Sequence, residues 1–263
     1  MTARGRLAPD CDASEILGDS VSRETVSRLR AYVELLGRWR LATNLISEAS
    51  FAEVWTRHIA DCAQLLSCAP SARRWLDMGS GAGFPGLVIA IQLAEVDGAR
   101  VHLVESDQRK CAFLREAIRV SGAPALVHAA RVESLALTDM EPIEALTARA
   151  FAPLPRLLQL SGPWLNAGAT GIFPRGRIDT RRSSQTFPHT LAGEGGQEER
   201  LPGGQRAAHR DIPSGASEKE IAPCQFPKLI HDRAFSFEWL PSKQAPDAAI
   251  LRVSKIASPA SGD

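Results

Sequence analysis

The stretch RWLDMGSGAGFPGLVIAI, residues 74–91, constrains the fold of this chain more than any other. It places four glycines, Gly79, Gly81, Gly83 and Gly86, within eight positions between two apolar runs. Glycine enters the left-handed backbone region without steric cost, so this density marks a tight turn whose backbone can approach a ligand closely. The apolar run before the turn reads as a buried strand and the run after it as a helix. Pro85 suits the helix start, where its missing N–H would lack an intrahelical partner anyway. A strand, a glycine turn and a helix in that order begin a parallel sheet covered on both faces.

The alternation continues along the chain. RVHLVES (100–106), ALVHAA (125–130), IEALTARA (143–150) and ATGIFP (169–174) read as strands. Between them DQRKCAFLREAIRVSG (107–122) and LPRLLQLSGPWL (154–165) read as helices, and ESLAL (133–137) as a short one. Two helical stretches precede the first strand. From Ser22 to Arg40, Val26, Leu29, Tyr32, Val33, Leu36 and Trp39 recur at helical spacing, with Ser20 or Ser22 as cap. From Phe51 to Leu66, Val54, Trp55, Ile59, Cys62, Leu65 and Leu66 share one side.

The pattern fails after Pro174. Residues 176–232 are rich in Gly, Ser, Arg and Glu and carry no apolar period. With few apolar anchors to offset an ordering cost of roughly 1–2 kcal/mol per residue, they are expected to form an irregular, mobile insertion. RAFSFEWLPSKQAPDAAILRVSKI, residues 233–256, holds two strand-like runs around a Pro-containing turn, a β-hairpin at the sheet's end. The expected organisation is an N-terminal helical extension over 1–70, an α/β core over 71–175, the insertion over 176–232 and the hairpin over 233–256.

Composition narrows the function classes. The 263 residues are 44% hydrophobic and 23% charged with a formal net charge of +1, so no global basic field advertises a polyanionic partner. Only five of the 31 basic residues are Lys, and the bias to Arg suits bidentate phosphate contacts as well as it suits a GC-rich genome. Five cysteines (Cys11, Cys62, Cys68, Cys111 and Cys224) form no C-x-x-C, so neither a zinc site nor a redox pair is written. No metal is expected. The N-terminus lacks the apolar core of a signal peptide and no run reaches membrane-spanning length, so a cytoplasmic protein with no membrane contact is expected.

The glycine turn supports two cofactor readings. Gly81, Gly83 and Gly86 spell the G-x-G-x-x-G of a dinucleotide site, whereas from Asp77 the same letters spell D-x-G-x-G-x-G, a motif of S-adenosylmethionine sites. Glu105 ends the second strand 19 residues beyond Gly86, where a carboxylate accepts hydrogen bonds from ribose hydroxyls of either cofactor. Asp77 separates the two. An acid at the end of the first strand pairs with the ammonium and sulfonium charges of S-adenosylmethionine and would repel a pyrophosphate. A closing hairpin, rather than further βαβ units, also favours S-adenosylmethionine.

Six segments then resemble one family. WRLATNLIS, TRHIADCAQLL, LDMGSGAGFPGLVIAI, LVESDQRKCAFLREAIRVSG, HAARVESL and LTARAFAPL are similar, in that order, to the bacterial 16S ribosomal RNA 7-methylguanosine methyltransferases, also called glucose-inhibited division protein B. The resemblance spans roughly residues 30–175, with a weaker echo at 234–255. It implies a Rossmann-like class I methyltransferase fold, mostly parallel, with N-terminal helices and a C-terminal hairpin. It also implies methyl transfer from S-adenosylmethionine to N7 of one guanosine near the decoding centre. By the family pattern Gly79 and Phe84 line the cofactor site, Val132 and Glu133 bracket the adenine, and Arg149 belongs to the cofactor pocket. Glu105 joins this cofactor set from the strand-end argument, Asp77 from its charge and Gly81 from the glycine motif.

Guanine N7 has an exposed lone pair and no proton to lose, so the reaction needs alignment rather than a general base. Arg149 is the candidate catalytic donor toward guanine O6. His58 and Asp61, one turn apart, could reach the active face, but they read first as an ion pair on a helix surface. The expected partner is 16S rRNA in a 30S subunit or assembly intermediate, met by a monomer through a local patch. Arg38, Arg40, Arg57, Arg175 and Arg177 are its candidates. Where the family's fifth strand ends in lysine–glycine, this chain has Pro174–Arg175, which keeps the positive charge. Three other functions suit the same fold: a methyltransferase of small molecules or proteins, a nucleotide-binding oxidoreductase, and a non-catalytic cofactor- or ribosome-binding module.

Overall fold

Among the described residues, seven strands form one sheet in the order β3-β2-β1-β4-β5-β7-β6. This computed structural model describes residues 16–17, 21–176, 235–244 and 248–256. The strands are β1 (Arg74–Met78), β2 (Arg100–Glu105), β3 (Ala125–Ala129), β4 (Ala145–Thr147), β5 (Thr170–Arg175), β6 (Phe235–Pro241) and β7 (Ala249–Lys255). The first five are mutually parallel, with Asp77 of β1 opposite Leu103 of β2 and Thr147 of β4. All five carboxyl ends therefore open on one rim, where ligands bind in sheets of this kind.

The helices are α1 (Arg23–Trp39), α2 (Glu48–Ala52), α3 (Gly86–Gln92), α4 (Gln108–Ser121) and α5 (Leu154–Asn166). Ser22 caps α1, its Oγ accepting from Thr25 N–H at 3.1 Å, and Glu24 complements the positive end of the helix dipole. On one sheet face α1, α3 and α4 pack with Trp75, Val101 and Leu103 into a single buried cluster. On the other, α5 and the hairpin pack with Leu76, Met78 and Val104. The alternation of Trp75 and Leu76 between the clusters follows from the two-residue period of a strand.

The helical N-terminal region shares its core with the sheet. Arg28 donates to the Ser121 carbonyl at 2.8 Å, Trp39 Nε1 donates to Glu116 at 3.0 Å, and Trp39 and Tyr32 both pack on Phe113.

Two expectations change in detail. The single helix expected from Phe51 to Leu66 divides into α2, a wide π-helical stretch Val54–Ala60, a turn of α-helix Asp61–Ala63 and a 3₁₀ turn Gln64–Cys68. This winding keeps Val54, Trp55, Ile59, Cys62 and Leu65 all buried. The short helix expected at 133–137 is instead two 3₁₀ turns, Val132–Ser134 and Leu137–Asp139. The hairpin completes the sheet with its last strand innermost: β7 pairs antiparallel with β5, and β6 takes the edge. Ile250, Leu251 and Val253 are each at most 2% exposed, so β7 is apolar enough for an interior place, whereas β6 is partly exposed along its length. The expected insertion over 176–232 lies, apart from Gly176, outside the described residues.

Candidate active site

The glycine turn joins β1 to α3 at the rim. Gly79, Gly81 and Gly83 take φ values of +74°, +54° and +95°, the left-handed region that the sequence anticipates. At Gly79 a second constraint acts: an added Cβ would lie 2.3 Å from Cδ2 of Phe151. At Gly81 the same atom would meet nothing nearer than the Gly79 carbonyl at 3.9 Å, which leaves the backbone open to a ligand.

Glu105 fastens the turn from the end of β2. Its Oε2 accepts from Gly81 N–H at 2.9 Å and its Oε1 from Asp107 N–H at 2.8 Å. Each oxygen retains a lone pair, and the residue borders the cleft, so the carboxylate is placed to receive vicinal hydroxyls.

Asp77 has a different position from the one expected. It is fully buried beneath the turn, on the face of β1 that Trp75 shares, and does not line the cleft. Its Oδ2 accepts from Gly86 N–H at 3.1 Å, while Oδ1 has no hydrogen-bond partner. Burial, helped by the negative charge of Glu105, pushes the carboxyl up to about 7. The expected contact with a ligand's ammonium is therefore replaced by a contact that anchors the first turn of α3.

Tyr32, which reads in the sequence only as a core position of α1, also holds the turn. Its buried hydroxyl donates to the Ala82 carbonyl at 2.6 Å. Its ring meets Phe84 edge-on at 5.8 Å.

These groups border a cleft of about 540 Å³, within the range of small-molecule sites. One wall is the core's rim: Gly79 to Ala82, Glu105, and Val132 with Glu133 after β3. The other is built by Leu45, Ile46, His58 and the segment Arg149–Phe151. Phe84 lies between them. Val132 is buried, whereas Glu133 is exposed and ion-paired to Arg156 at 2.7 Å. Ala150 holds φ +50°, the one described non-glycine residue in that region, and strain of this kind concentrates at functional sites.

Arg149 borders the cleft but directs its guanidinium to the N-terminal helices. It donates to the Arg57 carbonyl at 3.2 Å and to Cys62 Sγ at 3.5 Å, and lies 3.7 Å from Asp61 Oδ2. Burial pushes the Cys62 thiol up to about 12, so this sulfur stays protonated. Asp61 thus pairs with Arg149 and with Gln64 at 2.9 Å, and the expected His58–Asp61 ion pair is absent among the described contacts. His58 instead stacks on Phe84, centroids 4.8 Å apart.

The expected RNA-facing arginines differ among themselves. Arg38 is exposed on the last turn of α1, and Arg57 is exposed and paired with Glu53 at 2.9 Å. Arg175 ends β5, on the rim side of the sheet. Arg40 is a correction: its side chain is 5% exposed, capped by Glu48 and placed 4.4 Å over the Phe51 ring. It is spent within the fold. Arg177 lies outside the described residues.

Among the described residues no group of three or more His, Cys, Asp and Glu is arranged to hold a metal ion, and Cys62, Cys68 and Cys111 are free and buried. No described helix is long and apolar enough to cross a membrane.

Known proteins are similar to this chain in sequence. The ribosomal RNA small subunit methyltransferase G of Methylorubrum populi is 48% identical over 171 residues, covering 65% of this chain and 81% of its own length. That of Parvibaculum lavamentivorans is 52% identical over 159 residues, covering 60% of this chain and 70% of its own. A solved structure of MtNAS in complex with MTA and tNA matches with a TM-score of 0.50 at 14% identity, over 93% of this chain and 81% of that one, a likeness of fold alone. The family model described as GidB, rRNA small subunit methyltransferase G, matches residues 25–206. With the glycine turn, Glu105 and Arg149 all inside the matched span, this chain belongs to the GidB family of small-subunit rRNA methyltransferases.

Proposed function

We propose that this chain methylates N7 of a guanosine in 16S rRNA, acting as a monomer in the cytoplasm on a 30S subunit or an assembly intermediate. The family supplies the coarser statement, an S-adenosylmethionine-dependent methyltransferase of small-subunit rRNA. The observation that carries the cofactor is the rim itself. Gly81 leaves open space above its backbone, and Glu105 is held at that space with lone pairs to offer, which suits an adenosine. When bound, S-adenosylmethionine supplies an electrophilic methyl group. In this reading Gly79, Gly81, Phe84, Glu105, Val132, Glu133 and Arg149 hold the cofactor, and Asp77 supports it from beneath by fixing Gly86.

The chain's own work is alignment. Guanine N7 carries a lone pair and no proton, so no residue has to remove one. Arg149 ties the β4 loop to the N-terminal helices and so holds together the cleft wall that these two segments build. In the same reading its remaining donor capacity faces guanine O6. Arg38, Arg57, Arg175 and Arg177 are the proposed phosphate contacts.

Calorimetry and methylation assays test this together. The protein is expected to bind S-adenosylhomocysteine and not NADH, and to methylate guanine N7 in 30S particles far better than in a short hairpin carrying the same loop. Tight NADH binding, or equal methylation of both RNAs, would contradict the reading.

A further inference from the structure

Among the described residues His58 is the one ionisable ring on the cleft wall, and it stands on the π-helical stretch, a form that recurs at functional sites. The ring lies nearly parallel to Phe84, 18° from coplanar. Both its nitrogens are buried and neither has a hydrogen-bond partner among the described residues. Folded proteins rarely leave buried polar atoms unanswered, so two such atoms on a ring at the cleft call for a functional account. The charged groups facing it are the cations of Arg149 and Arg57 and the carboxylate of Glu53. Burial and the two arginines together push the imidazole down to about 4, so it is neutral near pH 7 and offers one donor and one acceptor. A half-turn about its Cβ–Cγ bond keeps the ring plane against Phe84 and exchanges its nitrogen and carbon edges.

We propose that His58 is the residue that reads the target base, its unprotonated nitrogen accepting a hydrogen bond from the N1–H edge of guanine. This rests on the guanine-N7 function above. When N7 is methylated, its lone pair becomes the new N–C bond, the pair of the broken C–S bond stays with sulfur, and the positive charge passes to the purine. No proton leaves. The new charge acidifies N1–H, so a neutral acceptor facing it binds more strongly as the charge develops. An imidazolium would oppose the same charge, which gives the neutral state of His58 a purpose.

His58→Phe keeps a ring on Phe84 and removes both nitrogens, while His58→Gln restores an uncharged acceptor. Four quantities decide: affinity for S-adenosylhomocysteine, thermal midpoint, affinity of the cofactor-loaded protein for 30S particles, and kcat/KM on those particles. His58→Phe is expected to leave the first two unchanged and to lower kcat/KM roughly tenfold to a hundredfold. Weaker particle binding accompanies that loss, and His58→Gln recovers part of both. Wild-type kcat/KM in His58→Phe, or a loss that follows the thermal midpoint or cofactor affinity in both variants, would overturn the proposal. A wild-type protein that leaves N7 unmodified would overturn the functional reading instead, a result distinguishable because it needs no variant.

Discussion

Replacing Asp77 by Asn tests the position of this carboxyl beneath the glycine turn. The buried acid is pushed from 3.8 to about 7, so folding takes up a proton between those values. The unfolded chain binds fewer protons than the folded one there, and Asp77 therefore costs stability as pH rises from 3.8 through 7, with the cost complete above 7. A displacement of that size converts to about 4 kcal/mol. Asn does not titrate, and its carbonyl oxygen can still accept from Gly86 N–H. Its amide N–H₂ would occupy the site of Oδ1, which has no partner, at a cost of about 1–3 kcal/mol. The net expectation is a gain of about 1–3 kcal/mol at pH 8 that shrinks steadily as pH falls toward 4. Urea denaturation of both proteins across this range measures it, since His58 and every other titrating group is common to both. Calorimetry alongside should find S-adenosylhomocysteine affinity within about threefold of wild type, a shift under 1 kcal/mol. A stability difference independent of pH would refute the burial argument. Abolished cofactor binding would refute the placement of Asp77 outside the cleft.

Gly79→Ala is expected to cost at least about 2 kcal/mol of stability and more than about tenfold in cofactor affinity, because its Cβ would enter the Phe151 ring from a left-handed backbone. Thermal melts and calorimetry check both. Tyr32→Phe strands the Ala82 carbonyl and is expected to destabilise by about 1–3 kcal/mol, with cofactor affinity falling alongside stability. Arg175→Ala is expected to leave cofactor affinity and melting unchanged and to reduce the salt slope of particle binding by about one. Arg40→Ala should do the reverse, lowering stability by roughly 1 kcal/mol through its lost packing on Phe51 and leaving the slope intact.

The parts of the fold written in local pattern were legible from the chain alone. β1, the glycine turn and α3 follow from contiguous letters, and the turn's left-handed glycines lie where the spacing puts them. Strand order in the hairpin was not, because the choice between β6 and β7 as neighbour of β5 depends on which one the sheet's two faces can bury. The acids divide in the same way. Glu105 and Asp77 both sit near carboxyl ends of strands, yet only Glu105 borders the cleft. Asp77 shares the face of Trp75, and that parity turns it under α3. The pairing of His58 with Asp61 was plausible from helical spacing, but partner choice is a tertiary matter. Arg149, 88 residues beyond Asp61, takes the carboxylate, and Phe84 takes the ring. Tyr32, the one tyrosine of the chain, lies at core spacing in α1, and nothing local marks its hydroxyl as the fastener of a turn 50 residues away.

Mass spectrometry of 16S rRNA nucleosides from cells with and without the gene tests the central claim most directly. The account predicts that deletion removes one 7-methylguanosine from the small subunit and that the purified protein restores it to 30S particles from the deleted strain. Every small-subunit 7-methylguanosine still in place after deletion would contradict it.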